Sequence, residues 1–305
     1  MLQRTVLFAL LIMFITNCSR DDLGPAAVAE DYHSELEEWK MDRLESLTSP
    51  TGWMRLAGMY FLEEGENRFG SGDDVDIQFP DGSIPEFAGT ITLQNDIVVI
   101  SVAEGVDITH DNNLVDTMVI YDGEDAPALE YGSLEWIIIE REGLFAVRLY
   151  NKENQKVDEF EGFPRYETSS DWVLKAKYHP APEGTTIPII NVLGQQVETP
   201  SPGTLEFMIN DNIYTLDALE GSERLFIIVA DLTNRTETYQ AGRYMYIDYP
   251  EDGSNYTVID FNKAYNPPCA YNLYTTCQLP PMQNRLNVAI TAGELRPVGW
   301  DGLTL

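Results

Sequence analysis

Basic residues are scarce in this chain of 305 residues. It carries 19 Lys and Arg against 50 Asp and Glu, which gives a formal net charge of −31. Proteins that bind nucleic acid, or that dock electrostatically on an anionic membrane surface, need clusters of basic residues. The charge balance therefore argues against both partners, whereas an acidic surface helps to keep an exported protein soluble.

Histidine and cysteine are almost absent. The chain has three of each, and His33, His110 and His179 lie far apart in the sequence. A structural zinc ion needs four Cys or His ligands at short spacings, so we predict neither a metal site nor a cofactor. Nucleophile motifs such as Gly-x-Ser-x-Gly and His-Glu-x-x-His, and Gly-rich phosphate loops, are missing as well.

Long apolar runs are also missing. The N-terminal run from Val6 to Ile15 has ten residues and follows Arg4, whereas a transmembrane helix needs about 20 apolar residues. A short run after a basic residue, followed by polar residues, is typical of a secretory signal peptide. We predict that residues 1–17 form this signal and that residues 18–29 form a tether.

The end of this signal resembles the lipobox of bacterial lipoproteins. Ile15, Thr16 and Cys18 fit the lipobox, whereas Asn17 stands where Gly, Ala or Ser is usual. The resemblance implies that Cys18 is the mature N-terminus and carries fatty acids such as palmitate. We expect an exported protein of the bacterial cell envelope, at the outer rather than the inner membrane, that contacts the membrane only through its lipid. A plain signal peptide is the alternative.

Two further cysteines, Cys269 and Cys277, stand eight positions apart. An oxidising envelope compartment permits a disulfide between them, and closing so short a loop would stabilise the protein by ~2–3 kcal/mol in the chain-entropy model. Two reduced, buried thiols are the alternative.

Periodicity predicts one helix followed by many strands. From Glu30 to Leu47 apolar residues recur every three to five positions, as on one face of an amphipathic helix. Short β-branched and aromatic runs separated by turn signals such as Asn95-Asp96 follow, for example from Gly89 to Ser101 and from Leu134 to Tyr150. Many short strands without long helical intervals favour an all-β fold of sandwiches or barrels.

The length of the strand region predicts two β modules. Roughly 275 residues after the tether exceed one ordinary sandwich core. We expect the N-terminal helix and the first module over residues 30–166, and the second module over residues 167–305. A motif loop at 260–286, rich in Pro, Asn and Tyr, is too long to be a plain connection and predicts an ordered, functional segment.

The stretch GENRFGSGDDVDIQFPD in the first module weakly resembles the strand-turn-strand signature of forkhead-associated domains. In that family an Arg follows the Gly and helps to hold phosphothreonine, whereas Ser71 follows Gly70 here. No Ser-x-x-His element comes after Asp81. The resemblance implies a similar fold without phosphopeptide binding.

Polar residues follow two neighbouring strands of the second module. The strand from Leu225 to Ala230 leads into one polar connection, and the strand from Tyr256 to Asp260 leads into the motif loop. We expect these polar residues to converge on one site, with Asp260 and Arg243 as a charge pair. The candidate ligand-binding residues are Glu237, Tyr239, Arg243, Asp260, Asn262, Tyr265, Asn266, Tyr271 and Arg285.

The segments DLTNRTETYQAGRYM and DFNKAYNPPCAYNLYTTCQLPPMQNRLNVAITAGE resemble the signature of the domain of unknown function 1684 family. The resemblance covers about Tyr32 to Glu294, with Gln278 where Pro is usual and Leu295 where Lys is usual. Because that family has no established function, the resemblance strengthens the fold and the boundaries and implies no chemistry.

Three functions remain open for these residues. We predict a small-ligand binding module, in which aromatic faces stack on a sugar-like or polar metabolite while amides and guanidinium groups fix its hydroxyls or carboxylates. A hydrolase would use Asp260 or Glu237 as general base, with Arg243 or Arg285 steadying a developing anion. In a structural envelope protein the same groups would only satisfy the loop backbone.

Overall fold

The computed structural model describes residues 23–141 and 143–297. The predicted signal peptide and the predicted lipidation site Cys18 lie outside the described residues. The described chain is mostly β, with several sheets and one long helix, which confirms the predicted β character of the fold. No helix in the described part is both long enough and apolar enough to cross a membrane.

Helix α1 spans Tyr32–Thr48 and ends where Ser49, with extended ψ, precedes Pro50, as expected because a residue before proline avoids the helical region. Tyr32 and Leu36 on its apolar face pack against Val173. Val173 lies in the range predicted for the second module, although the helix was predicted as part of the first.

Eleven strands follow helix α1 and form two sheets. The smaller sheet has the order β3-β2-β4-β5-β8, and the larger sheet has the order β1-β11-β10-β9-β6-β7. Their inner faces share one hydrophobic core that includes Phe69, Ile91 and Trp136, and we call this unit the N-terminal sandwich. The strands are β1 (Leu56–Phe61), β2 (Gly65–Gly70), β3 (Ile77–Gln78), β4 (Gly89–Gln94), β5 (Ile97–Val102), β6 (Thr109–His110), β7 (Asn113–Leu114), β8 (Thr117–Tyr121), β9 (Leu129–Tyr131), β10 (Leu134–Arg141) and β11 (Leu144–Asn151).

A connection with the short helix α2 (Gln155–Asp158) leads into the remaining strands. Six of these strands form a sheet of order β18-β17-β16-β15-β12-β19, while β13 and β14 form a separate hairpin. The six-stranded sheet, which we call the C-terminal sheet, surrounds a second core that includes Phe207 and Phe261. The strands are β12 (Val173–Pro180), β13 (Thr186–Ile190), β14 (Gln196–Pro200), β15 (Gly203–Ile209), β16 (Asn212–Gly221), β17 (Arg224–Val229), β18 (Arg243–Ile247) and β19 (Tyr256–Asp260).

The two edges of the C-terminal sheet lie close together, since the Thr257 hydroxyl of β19 donates to the Asp248 carbonyl after β18 at 2.7 Å. The sheet therefore curls into a nearly closed barrel. The division of the chain into two modules near residue 166 remains a prediction.

The motif loop at 260–286 is ordered along the edge of the C-terminal sheet. Tyr265 exchanges backbone hydrogen bonds of 2.9 and 3.0 Å with Tyr244 of β18, and Leu286 donates to Ala230 at 2.8 Å. Three single-turn 3-10 helices punctuate the loop, and they span Phe261–Lys263, Pro268–Ala270 and Met282–Asn284. The loop thus covers a sheet edge that would otherwise expose unpaired backbone groups.

Candidate functional site

Arg243 on β18 is buried completely against the C-terminal sheet. Its guanidinium forms an ion pair of 2.8 Å with Asp231, and neither side chain is exposed. It also donates to the carbonyls of Ile290, at 3.0 Å, and Ala292. The predicted charge pair between Arg243 and Asp260 is wrong, because Asp231 from the preceding connection reaches the guanidinium instead. Arg243 has no exposed surface with which to contact a ligand.

Asp260 and Asn262 connect the motif loop to helix α1. The Tyr32 hydroxyl donates to the Asp260 carboxylate at 3.0 Å. The buried Asn262 amide donates to the same carboxylate at 3.0 Å and to the Ser169 carbonyl at 2.9 Å. Burial, together with the Asp260 charge, raises the pKa of Tyr32 above its ordinary value. Asp260 and Asn262 therefore bind the motif loop to helix α1 through Tyr32 and to the chain at Ser169.

Asn266 belongs to a buried ionic cluster that the sequence analysis missed. Its backbone N–H donates to Glu294 at 2.7 Å. Glu294, only 2% exposed, also accepts from Arg43 of helix α1 at 3.0 Å and from Arg165 at 2.9 Å. The Arg43 guanidinium lies 4.3 Å from the centroid of the candidate Tyr265 ring. Positions so distant in the sequence give no local signal of such a cluster.

Tyr239 and Tyr271 are buried beside the two cysteines of the motif loop. The Tyr239 hydroxyl donates to the Cys269 carbonyl at 3.2 Å, and the Tyr271 ring centroid lies 4.9 Å from that of Phe163. Burial raises the pKa of both tyrosines, so both stay neutral. These side chains fill the space between the loop and the sheet.

Cys269 and Cys277 are buried, free thiols in this structure. Each backbone N–H donates to the other sulfur, at 3.1 and 3.2 Å, and the Thr275 hydroxyl donates to Cys269 Sγ at 2.9 Å. The side-chain hydrogen bond from the Cys277 thiol lowers the pKa of the Cys269 thiol, and burial raises the pKa of Cys277. The disulfide remains a prediction for the oxidised protein.

The last two candidates, Glu237 and Arg285, are exposed on the surface. Glu237 accepts a hydrogen bond of 3.0 Å from the Tyr166 hydroxyl. Arg285 lines a shallow depression of about 180 Å³ together with Arg235. The nine predicted residues therefore do not converge on one open site, and most of them are buried in the contacts that hold the motif loop against neighbouring segments.

A cleft does form where the motif loop faces the N-terminal sandwich. It has a volume of about 220 Å³, and we call it the Arg148 cleft. One wall comes from the outer face of β1, β10 and β11, and the opposite wall comes from the motif loop and β17–β18. The lining residues are Trp53, Met59, Phe61, Ile139, Arg141, Leu144, Ala146, Arg148, Asn191, Gln195, Phe226, Tyr244, Pro268, Thr275, Thr276, Cys277 and Gln278.

Asn272 of the motif loop sets the distance between the two walls. Its side-chain amide donates to the Leu56 carbonyl at 3.0 Å and to the Trp53 carbonyl at 3.3 Å. The loop is thereby attached to the first strand of the N-terminal sandwich. The buried part of the motif positions the loop, and the segment from Thr275 to Gln278 presents side chains to the cleft.

Two arginines on the sandwich wall give the cleft its charge. The Arg148 guanidinium lies 5.1 Å from the centroid of the Trp53 ring, and its Nε is buried without a hydrogen-bond partner in the described part of the chain. Arg141 is exposed at the end of β10. Among residues 23–141 and 143–297, no acidic side chain lines the cleft, although the protein as a whole is strongly acidic.

The Arg148 cleft was not predicted from the sequence, although one sequence feature indicates it. β10 carries three consecutive isoleucines, Ile137 to Ile139, where a strand with one wet face should alternate. Ile138 faces the sandwich core and Ile139 lines the cleft. The break in alternation indicates that another part of the protein covers the outer face of β10.

The described residues contain no group of three or more His, Cys, Asp or Glu side chains that could hold a metal ion. The available polar chemistry in the cleft is therefore that of guanidinium, amide and hydroxyl groups. These groups can bind and orient a small molecule.

A family model supports the resemblance for residues 158–295. Residues 158–295 match the family model described as "Protein of unknown function (DUF1684)". The chain is similar to a solution NMR structure of an uncharacterized protein from Haloarcula marismortui, with 29% identity over 47% of this chain and 80% of that chain, at a TM-score of 0.39. It is also similar to the FhaA FHA domain in a crystal structure with an intracellular domain, with 16% identity over 30% of this chain and 96% of that chain, at a TM-score of 0.21. No curated protein matches the chain.

Proposed function

We propose that the protein is a lipid-tethered module of the bacterial cell envelope that binds a small polar ligand in the Arg148 cleft. One observation carries the proposal: the family motif presents Pro268 and the segment from Thr275 to Gln278 to a cleft whose other wall is the N-terminal sandwich. Ligand sites commonly lie between structural units and combine apolar walls with a few polar groups. Phe226, Ile139 and the two arginines provide that combination.

The contacts of the buried motif residues bear on the two alternatives, a structural role and a hydrolase. Burial of Arg243 and Asn262 favours a structural role for the polar core of the motif. A hydrolase that used Arg243 to steady an anion would have to expose a side chain that now pairs with Asp231. Binding in the cleft requires no such rearrangement, because the cleft is already open and lined by groups outside this network.

A cleft-filling variant tests the proposal. Ala146 on β11 lines the cleft, while its neighbours Phe145 and Val147 face the sandwich core. In a thermal-shift screen of sugars, nucleotides, organic acids and cell-wall fragments, a ligand should raise the melting temperature by mass action. We expect Ala146→Phe to abolish that shift.

Val119→Phe is the matched control, because Val119 on β8 is 47% exposed and lies outside the cleft lining. This variant should keep the full ligand response. A ligand that shifts Ala146→Phe as strongly as the wild type would place the binding site elsewhere and contradict the proposal.

A further inference from the structure

The charge in the Arg148 cleft is unbalanced, unlike that around the buried arginines elsewhere in the chain. Arg43 and Arg165 pair with Glu294, Arg55 pairs with Asp158, and Arg243 pairs with Asp231. Within the described residues, neither Arg141 nor Arg148 has an acidic partner. Although the protein has 50 acidic residues, none of those that the structure describes lines the cleft beside these two cations.

The groups that face Arg148 are neutral rings and a second cation. Trp53 lies under its guanidinium, and Tyr150 is a hydrogen-bond neighbour. Burial lowers the pKa of Arg148, a hydrogen bond to Tyr150 partly opposes this, and the nearby Arg141 cation lowers it further. An arginine nevertheless stays protonated in proteins, so both charges persist in the cleft and repel each other.

We propose that the Arg148 cleft recognises a small organic anion, whose carboxylate or phosphate group binds between Arg148 and Arg141. This inference rests on the proposed function and adds the charge class of the ligand. An anionic group there would relieve the repulsion and replace the missing partner, because guanidinium forms paired, charge-assisted hydrogen bonds with carboxylate and phosphate oxygens.

Apolar residues on both walls of the cleft select the rest of the ligand. Phe61, Met59 and Ile139 form an apolar surface on the sandwich wall, and Phe226 faces them from the C-terminal sheet. A volume of about 220 Å³ is below the usual 300–1,000 Å³ of sites for drug-sized ligands. The ligand is therefore a compact molecule with an apolar or aromatic body and one anionic end.

Matched probes separate charge from shape. Benzoate and phenyl phosphate carry the anionic group, benzamide is the neutral isostere of benzoate, and inorganic phosphate lacks the body. Binding is measured by calorimetry and thermal shift at constant ionic strength, on the mature chain with Cys18→Ser to remove the lipid. We expect at least one of the two aromatic anions to bind at least tenfold more tightly than benzamide, and the better anion identifies the group.

Arginine variants then test whether the anion binds through Arg148 and Arg141. Arg148→Met should weaken binding of the anion at least tenfold, and Arg141→Met should weaken it less because Arg141 is exposed. Arg224→Met is the control, since Arg224 also stacks on an aromatic ring, at 4.8 Å from Tyr246, but lies outside the cleft. If Arg148→Met does not fold, Arg148→Lys serves in its place, because it keeps the charge and loses the paired geometry.

The outcomes distinguish this inference from the proposed function. If benzamide binds as tightly as the anions and Ala146→Phe blocks it, the cleft binds ligands but the charge assignment is wrong. If the anions bind equally to Arg148→Met and Arg224→Met, the inference is also overturned. If no probe binds the wild type at millimolar concentration, the inference fails, and the wider ligand screen with Ala146→Phe decides the proposed function separately.

Discussion

At the scale of single residues, the ion pair between Asp231 and Arg243 should dominate the stability of the C-terminal sheet. Asp231→Ala would leave the Arg243 cation buried without a charged partner, and it would also remove the acceptor for the Thr233 N–H, bonded at 2.8 Å. Removing one partner of a buried pair usually destabilises a protein by about 3–5 kcal/mol. We expect a loss of this size in the free energy of unfolding measured with urea.

Asp252→Ala is the control for this experiment, because Asp252 is exposed in the turn before β19. Surface substitutions of this kind usually change the free energy of unfolding by less than about 0.5 kcal/mol. A loss below about 1 kcal/mol in Asp231→Ala would show that the pair contributes little and that Arg243 is free to serve another role.

The thiol of Cys269 gives a prediction about pH. Its pKa is lowered in the folded protein, mainly by the hydrogen bond from Cys277, from an ordinary value of about 8.5. A lowered folded pKa stabilises the protein above the unfolded pKa, and this contribution is lost as the pH falls through the folded pKa. We therefore expect that, as the pH is raised, the ultraviolet absorbance of the Cys269 thiolate in reduced Cys18→Ser protein begins to increase already below pH 8.5.

Cys277→Ala should move that thiolate transition to higher pH, because it removes the side-chain hydrogen bond from the Cys277 thiol, the main cause of the lowered Cys269 pKa, and keeps only the bond from its backbone N–H. Unfolded protein in urea provides the reference titration. A folded protein whose thiols titrate only at or above the reference pKa would contradict the proposed effect of the pair.

Residue type alone could not separate a ligand site from a buried network. Asn, Asp, Tyr and Arg after strand ends are expected in both cases, and exposure depends on what packs over them. Asn284 shows the difficulty: its amide donates to the carbonyls of Asp217 and Ile228 at 2.9 Å each. Partners 67 and 56 residues away in the sequence leave no mark on the local pattern.

At the scale of elements, the position of the motif loop depends on Gly293, which packs against Ala264 near the start of the loop. Gly293 has a φ of +78°, and a Cβ there would lie 2.5 Å from the Ala264 carbonyl oxygen. Gly293→Ala therefore adds a backbone clash to the strain of a left-handed conformation. We expect the melting temperature to fall, with a loss of free energy of unfolding of more than about 2 kcal/mol.

Gly253→Ala is the matched control, because Gly253 has a φ of +81° and no atom within 4 Å of an added Cβ. It should carry only the conformational strain, about 1–2 kcal/mol. Equal losses in the two variants would show that the backbone at residue 293 shifts to accept the methyl group, and that the close approach to Ala264 does not hold the loop.

Elements were predicted well where the signal was local. The turn expected at Asn95 and Asp96 is confirmed: both residues have positive φ, and they join the antiparallel strands β4 and β5. Such turns need residues that tolerate positive φ, and Asn and Asp do so. The position of helix α1 was not predictable in the same way, because its contacts with Asp260 and Glu294 cross more than 200 positions of sequence.

At the scale of the whole molecule, the alternating strands predicted a β protein, but not the place where its surfaces meet. The Arg148 cleft forms where the motif loop, which Asn272 attaches to the first strand, faces the N-terminal sandwich. The local sequence of each wall is that of an ordinary strand or loop and gives no sign of a cleft. The exception is the run from Ile137 to Ile139, which indicates a covered outer face without identifying what covers it.

The lipid anchor is the remaining prediction at this scale, and it concerns how the cleft is displayed. If Cys18 is diacylated, the molecule is held at the membrane by two acyl chains, which is what stable anchoring requires. The net charge of −31 would then keep the domain away from an anionic bilayer surface, because like charges repel within a Debye length of about 8 Å.

Metabolic labelling tests this anchor directly: cells that express the protein are grown with a radioactive fatty acid. The wild-type protein should take up the label and sediment with membranes, whereas Cys18→Ser should do neither. Cys269→Ser is the matched control, because it removes a buried thiol and leaves the signal intact, so it should be labelled like the wild type. Label retained by Cys18→Ser would contradict lipidation at this residue. An unlabelled wild-type protein that is nevertheless exported would instead favour the plain signal peptide, with the cleft free in solution.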